Sequence, residues 1–210
     1  MTARGRADTR PRIGVFGGTF DPPHLGHLLL AEAARDRLAL DRVLFVPASV
    51  PPHKRARAVT PAATRLVLLR AALAGTGFSI STLELHRPGP SYTVDTLERL
   101  GRRHPRARLW LLVGADSLKD LPTWRDPERI LALATLAVAA RPETSDEPPP
   151  SLARFARKFV HLGNPPVAIA STDLRRRVAR GQSIRFLVPA AVERRVKALG
   201  LYRRDGRGAG

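Results

Sequence analysis

An apolar run, Ile13-Gly-Val-Phe16, is followed by Gly17-Gly-Thr-Phe-Asp-Pro-Pro-His-Leu-Gly-His27, and then by an apolar-periodic segment from Leu28 to Leu40. A strand therefore feeds a glycine-rich turn, and the turn opens a helix. In that geometry backbone N–H groups and a helix N-terminus face an anion. Glycine permits the close approach because it has no Cβ. His24 and His27 are three residues apart, so they share one face of the first helical turn. Two imidazoles beside a phosphate cradle point to nucleotide phosphate chemistry. A lone Gly-Gly would read as a turn and a lone histidine as structural; their combination between a strand and a helix is what carries weight.

Elsewhere apolar strand-like runs alternate with helix-like segments, which predicts a parallel α/β sheet. The expected strands are Arg12–Phe16, Arg42–Pro47, Arg108–Gly114 and Thr135–Ala140. Shorter extended pieces are expected at Ser79–Leu85 and Lys158–Leu162. The expected helices are Leu25–Leu40, Pro61–Ala74, Tyr92–Arg103, Asp173–Arg180 and Pro189–Leu199. Pro61 and Pro189 fit a first helical turn, and Gly75, Gly181 and Gly200 fit C-terminal caps. Arg141–Pro150, rich in proline and acid, reads as an exposed loop. One domain over residues 11–203 is expected, with a small C-terminal helical portion and disordered ends at 1–10 and 204–210.

Composition narrows the function. The chain of 210 residues contains no cysteine, which excludes a disulfide framework, a thiolate zinc site and a cysteine nucleophile. No apolar run approaches the ~20 residues that span a bilayer, and the arginine-rich start lacks a signal-peptide core. A cytoplasmic protein without a membrane partner is expected. The net charge of +18 raises the question of nucleic acid. However, the arginines are spread along the chain, with small clusters at Arg175–Arg177, Arg194–Arg195 and Arg203–Arg204, and no RNA-binding aromatic signature accompanies them. A positive field would equally serve a polyphosphate substrate.

Two more stretches suit phosphate. Ala170-Ser-Thr-Asp-Leu-Arg175 opens a helical segment, where Ser171 or Thr172 can cap and Arg175 can reach an anion at the mouth. An ordinary capped surface helix is the alternative. Val46-Pro-Ala-Ser-Val-Pro-Pro-His-Lys54 follows the second strand, on the side of a parallel sheet where ligands bind. His53 and Lys54 there are either phosphate contacts or surface cations on a proline-stiffened loop.

The first stretch resembles the HxGH signature of the nucleotidyltransferase superfamily, and residues 169–175 resemble its second motif, with Ala170 in place of a serine. From about Arg12 through Tyr202 the chain is similar to the bacterial nicotinate-nucleotide adenylyltransferase family. The residues that carry this are Pro-Pro-His-Lys (51–54), Leu-Glu-Leu-x-Arg…Ser-Tyr-Thr-Val-Asp-Thr-Leu (83–97), Gly-Ala-Asp-Ser-Leu…Leu-Pro-x-Trp (114–124) and the ending Phe186-Leu-Val-Pro…Leu201-Tyr202. Where the family often carries asparagine after the second strand, this chain has Ala48-Ser49.

The resemblance implies a Rossmann-like, doubly wound parallel sheet and transfer of AMP from ATP to nicotinate mononucleotide, with Mg²⁺ accompanying ATP. It implies that His24, His27, Lys54 and Arg175 are catalytic, and that Gly17, Gly18, Thr19, Phe20, His53, Ser171 and Thr172 surround the phosphates. It also implies that Tyr92, Thr93, Gly114, Asp116 and Trp124 receive the nicotinate nucleotide, with Thr93 acting through its backbone, Asp116 on ribose hydroxyls and Trp124 stacked on the pyridine ring. No dedicated metal ligands are expected. Residue chemistry leaves alternatives open: Trp124 as core, Asp116 as a helix cap and Thr93 as a helix start. The rival activities are another small-molecule nucleotidyltransferase, such as one acting on phosphopantetheine, and a basic nucleic-acid-binding protein.

Overall fold

The computed structural model describes residues 9–49, 59–87, 89–140, 147–164 and 167–203. Six parallel strands among them form one sheet: β1 (Arg12–Gly18), β2 (Arg42–Pro47), β3 (Ser79–Ile80), β4 (Arg108–Gly114), β5 (Thr135–Ala139) and β6 (Phe159–His161), in the order β3-β2-β1-β4-β5-β6. The helices are α1 (Leu25–Leu38), α2 (Ala62–Leu73), α3 (Thr93–Arg103), α4 (Ala115–Asp120), α5 (Pro127–Leu133), α6 (Ser171–Ala179) and α7 (Ala190–Ala198). None is long and apolar enough to cross a membrane.

The sheet is covered on both faces because its strands are apolar at successive positions, and successive side chains point to opposite faces. Ile13, Val15, Leu44, Val46, Leu111, Val113, Leu136 and Val138 pack with Val94 and Leu97 of α3 and Ile130 of α5. Phe16, Val43, Phe45, Leu112 and Ala137 face the other way, onto Leu30, Ala31 and Ala34 of α1 and Leu69 of α2. Full burial of each large apolar side chain contributes about 1.5–3 kcal/mol. The outward face of α2, Leu68 and Ala72, packs with Leu174, Val192 and Val196 of α6 and α7. This third cluster ties the C-terminal helices to the rim of the sheet. The architecture is the Rossmann-like, doubly wound parallel sheet expected.

The differences are local. Gly17 and Gly18 lie inside β1, paired with Val46 and Pro47, so the turn begins only at Thr19. The chain leaves β3 after Ile80, because Leu85 and Arg87 donate backbone hydrogen bonds back to Thr82 and Glu84 and form turns. Ala39 adopts a left-handed φ of 46° and ends α1 two residues before the expected Leu40. Pro61 and Pro189 sit one position outside their helices. Helix α6 starts at Ser171 with Ala170 at its cap, so neither Ser171 nor Thr172 caps it. Short helices α4 and α5 were absent from the expected set. The expected ends, apart from residues 9 and 10, and positions 141–146 of the acidic loop lie outside the described residues.

Candidate active site

The order of strands reverses between β1 and β4, so connections leave their C-terminal ends in opposite directions and open a crevice. A cleft of about 470 Å³ occupies that place. Gly17, Gly18 and Thr19 line one side and Gly114 and Asp116 another, while Ser171 and Thr172 close it. The first turns of α1 (Gly26, His27) and α6 (Ser171, Thr172) both border the cleft. Helix dipoles at two N-termini make it favourable for an anion. No lysine or arginine lines it among the described residues. His53 and Lys54 lie outside those residues.

His24 and His27 stand on one wall with their rings stacked, centroids 3.6 Å apart and planes 25° apart. Phe16 and Phe20 support the His27 ring at 5.8 and 5.1 Å. The backbone N–H of His24 donates to His27 Nδ1 at 3.1 Å. Nδ1 thus presents its lone pair inward, and in the neutral ring the proton sits on Nε2 as a donor. Gly26 lies close against the His24 ring. A Cβ there would stand 3.1 Å from His24 Nδ1 and 3.2 Å from its Cε1. Gly18 meets a similar limit, since a Cβ would lie 2.9 Å from the Phe20 ring. Phe20, at a left-handed φ of 51°, is therefore buried beneath the turn and does not line the cleft.

A polar network underlies the turn. Arg65 of α2 is 1% exposed, and its guanidinium donates to the carbonyls of Thr19 (2.8 Å), Thr60 (2.8 Å), Ala48 (2.7 Å) and Ser49 (3.1 Å). Burial lowers its pKa, against which Asp21 and Tyr202 act in the opposite direction. Burying an unpaired guanidinium would cost several kcal/mol, so this fork of acceptors is what permits it there. Asp21, 3% exposed, accepts from the Tyr202 hydroxyl at 2.7 Å and from the Thr60 N–H at 3.3 Å. From α6, Arg175 donates to the Asp21 carbonyl at 2.7 Å and Ser171 to the Pro22 carbonyl at 2.9 Å. Arg175 also reaches Thr172 Oγ1 at 3.4 Å. The two phosphate motifs, at opposite ends of the chain, thus meet through these bonds. In this arrangement Arg175 stands behind the cleft wall and is not part of its lining.

Tyr92, Thr93 and Trp124 form a separate group outside the cleft lining. Tyr92 and Trp124 are half-buried against the core beneath α3 and α5, and the Arg125 guanidinium lies 5.0 Å over the Tyr92 ring. Thr93 is the first residue of α3. Ala48 and Ser49 connect this group to the turn, as their N–H groups donate to the Gly18 carbonyl (2.9 Å) and to Ser91 Oγ (3.0 Å). Glu84, buried, accepts from Thr96 Oγ1 at 2.5 Å and from Ser91, and burial raises its pKa above the ordinary carboxylate value. Asp116 occupies the second position of α4, whose cap is Gly114, so the capping alternative fails by register.

Residues 15–177 match the cytidylyltransferase-like family. A Thermomicrobium roseum protein named "Probable nicotinate-nucleotide adenylyltransferase" is 50% identical over 91% of this chain and 92% of its own length. One of the same name from Thermus thermophilus is 48% identical over 91% of this chain and 100% of its own. The chain belongs to the cytidylyltransferase-like family, among its nicotinate-nucleotide adenylyltransferases. The fold extends further than the sequence likeness. The Plasmodium falciparum nicotinic acid mononucleotide adenylyltransferase complexed with NaAD superposes with a TM-score of 0.79 at 16% identity, over 91% of this chain and 97% of that one.

For a cytidylyltransferase-like chain, several residues around the site went unremarked in the sequence. Asn164, at the cleft, accepts from the Ala140 N–H at 3.1 Å, and no spacing marks it. Arg65 was legible in principle: it precedes Leu68 and Leu69 by three and four positions, which puts a charge on the buried face of α2. Asp21 stands within the first motif, but its partners Tyr202, Thr60 and Arg175 come from distant parts of the chain.

Proposed function

We propose that the chain carries out adenylyl transfer to nicotinate mononucleotide at this cleft, with the residues named above in the roles that follow. The observation that carries the assignment is the stacked His24–His27 pair in a crevice bordered by two helix N-termini. A 5′-phosphate oxygen of the mononucleotide attacks the α-phosphorus of ATP. The new P–O bond forms as the bond to the β-phosphate breaks, and pyrophosphate leaves with the electron pair. The products are nicotinate adenine dinucleotide and pyrophosphate, in NAD biosynthesis.

The nucleophile is already an anion, so no strong base is needed. Positioning and charge stabilisation supply the acceleration. His27 Nε2–H and His24 donate to the triphosphate, and the Gly17–Thr19 backbone and the first turns of α1 and α6 cradle it. Lys54, His53 and Arg175 add positive charge as the phosphates bind. Asp116 and Gly114 at the end of β4 hold the ribose, while Tyr92, Thr93 and Trp124 receive the pyridine ring. Among the described residues no cluster of three acids or histidines could hold a metal. A Mg²⁺ entering with ATP would supply positive charge to the triphosphate. A cytoplasmic location belongs to this assignment, because both substrates are charged metabolites that a bilayer excludes.

The test is pyrophosphate release from ATP and Mg²⁺ with nicotinate mononucleotide, nicotinamide mononucleotide and phosphopantetheine supplied separately. Release favouring the nicotinate nucleotide is expected. Release with phosphopantetheine alone would overturn the acceptor and keep the chemistry. Silence with all three, together with salt-sensitive DNA or RNA binding, would overturn the enzyme assignment.

A further inference from the structure

We propose that Tyr202 is a positioning residue for the triphosphate: its hydroxyl, through Asp21, fixes Arg175, so that the segment after α7 contributes to the ATP site.

Three independent features support this. The first is connectivity. Tyr202 donates to Asp21 Oδ1 across 181 residues of sequence, and the same Asp21 offers its carbonyl to Arg175, whose Nη1 lies 4.0 Å from Asp21 Oδ2. One side chain thereby links the segment after α7 to both motifs. The second is backbone conformation. Tyr202 adopts φ +63°, a region that bulky side chains rarely occupy and that persists only where surrounding contacts over-determine it. Phe20, which precedes Asp21, is also left-handed, at +51°. The third is chemistry. Burial and the neighbouring Asp21 push the Tyr202 phenol far above its ordinary value, while Thr60 and Arg175 oppose the shift. The hydroxyl therefore remains a donor at every working pH.

Arg65 shows why the hydroxyl acts on position rather than on folding alone. It holds the Thr19, Ala48 and Ser49 carbonyls from below, so the turn is anchored without Tyr202. Beside Thr60, the residues left to Tyr202 are Asp21 and, through the Asp21 carbonyl, Arg175. Loss of the hydroxyl frees Asp21 to draw the Arg175 guanidinium onto its carboxylate and away from phosphate.

The proposal rests on the adenylyl-transfer assignment for ATP as the nucleotide at this site; MgATP binding tests it without any acceptor. Tyr202→Phe keeps the ring and its packing. Calorimetric titration with MgATP should show affinity weakened about fivefold to tenfold, with nicotinate mononucleotide affinity unchanged and a small loss in Tm. In an Arg175→Ala background the same substitution should change MgATP affinity less than about twofold, because the residue it positions is gone. Unchanged MgATP affinity in Tyr202→Phe, whatever its Tm, overturns the proposal. So does a full multiplication of the two effects in the double variant. If wild-type protein binds MgATP but releases pyrophosphate with no acceptor, the activity assignment fails while the binding cycle still decides the role of Tyr202.

Discussion

At the scale of single residues, the HxGH stretch works through contacts that each side chain denies to others. Gly26 shows this most sharply. Alanine at that position gains about 1 kcal/mol of helix propensity over glycine, yet its Cβ would press on His24 at 3.1 Å. Gly26→Ala should therefore leave Tm almost unchanged while kcat falls about tenfold or more, as thermal melts and pyrophosphate release would show. Loss of kcat only in proportion to loss of folded protein would count against the steric account. In the proposed mechanism His27 donates where charge develops, so His27→Ala should lower turnover about 10²-fold or more with the fold intact by circular dichroism. Turnover equal to wild type would remove His27 from the mechanism. Trp124 is half-buried against the core and beside the Tyr92 segment. Trp124→Ala should raise KM for the nicotinate nucleotide several-fold and leave KM for ATP alone; equal effects on both substrates would make Trp124 a core residue only.

At the scale of elements, the site depends on where helices begin and on what holds the connections between them. Helices α1 and α6 bring their first turns to one cleft because β1 and the segment before Ser171 both end there. The connection from β3 to α3 is held by buried Glu84, which binds Thr96 of α3 and Ser91 before it. Burial dominates its raised pKa, with Thr96, Ser91 and Arg87 opposing and Asp95 reinforcing the shift. The folded state thus binds the Glu84 proton more tightly than the unfolded chain does. Its contribution is fully present below the unfolded pKa and is lost as pH rises through the folded value. Glu84→Gln removes this dependence. The Tm of the variant relative to wild type should rise between about pH 4 and pH 7, by melts across that range. A constant difference would show that folding leaves the Glu84 pKa unshifted, and a falling one that the fold stabilises its charged form.

At the scale of the whole molecule, a charge of +18 surrounds a cleft whose described lining holds no arginine or lysine. Beyond the few cations assigned to the phosphates, that field would act at a distance, raising the local concentration of polyanionic substrate. Distance makes it screenable. Raising salt from about 50 to 500 mM shortens the Debye length to a few ångströms. KM for ATP should then rise several-fold with kcat little changed, measured by initial rates. A fall in kcat at constant KM would place the salt effect inside the cleft.

Local chemistry determined the strands, most helices and the first phosphate turn, because each rests on interactions within a few residues: apolar alternation, helix periodicity and glycine at a close approach. Strands β2 and β4 coincide with the expected residues for that reason. The pairing of two histidines on one helical face was likewise visible, since three residues of spacing suffice. The tertiary structure decided the rest. Strand order opened the cleft between β1 and β4, placed Ser171 on the Pro22 carbonyl, and turned Arg175 and Tyr202 toward Asp21. Those partners stand between 149 and 181 residues apart. No local preference encodes such contacts; they exist because burial of apolar faces on both sides of one sheet brings the two ends of the chain together.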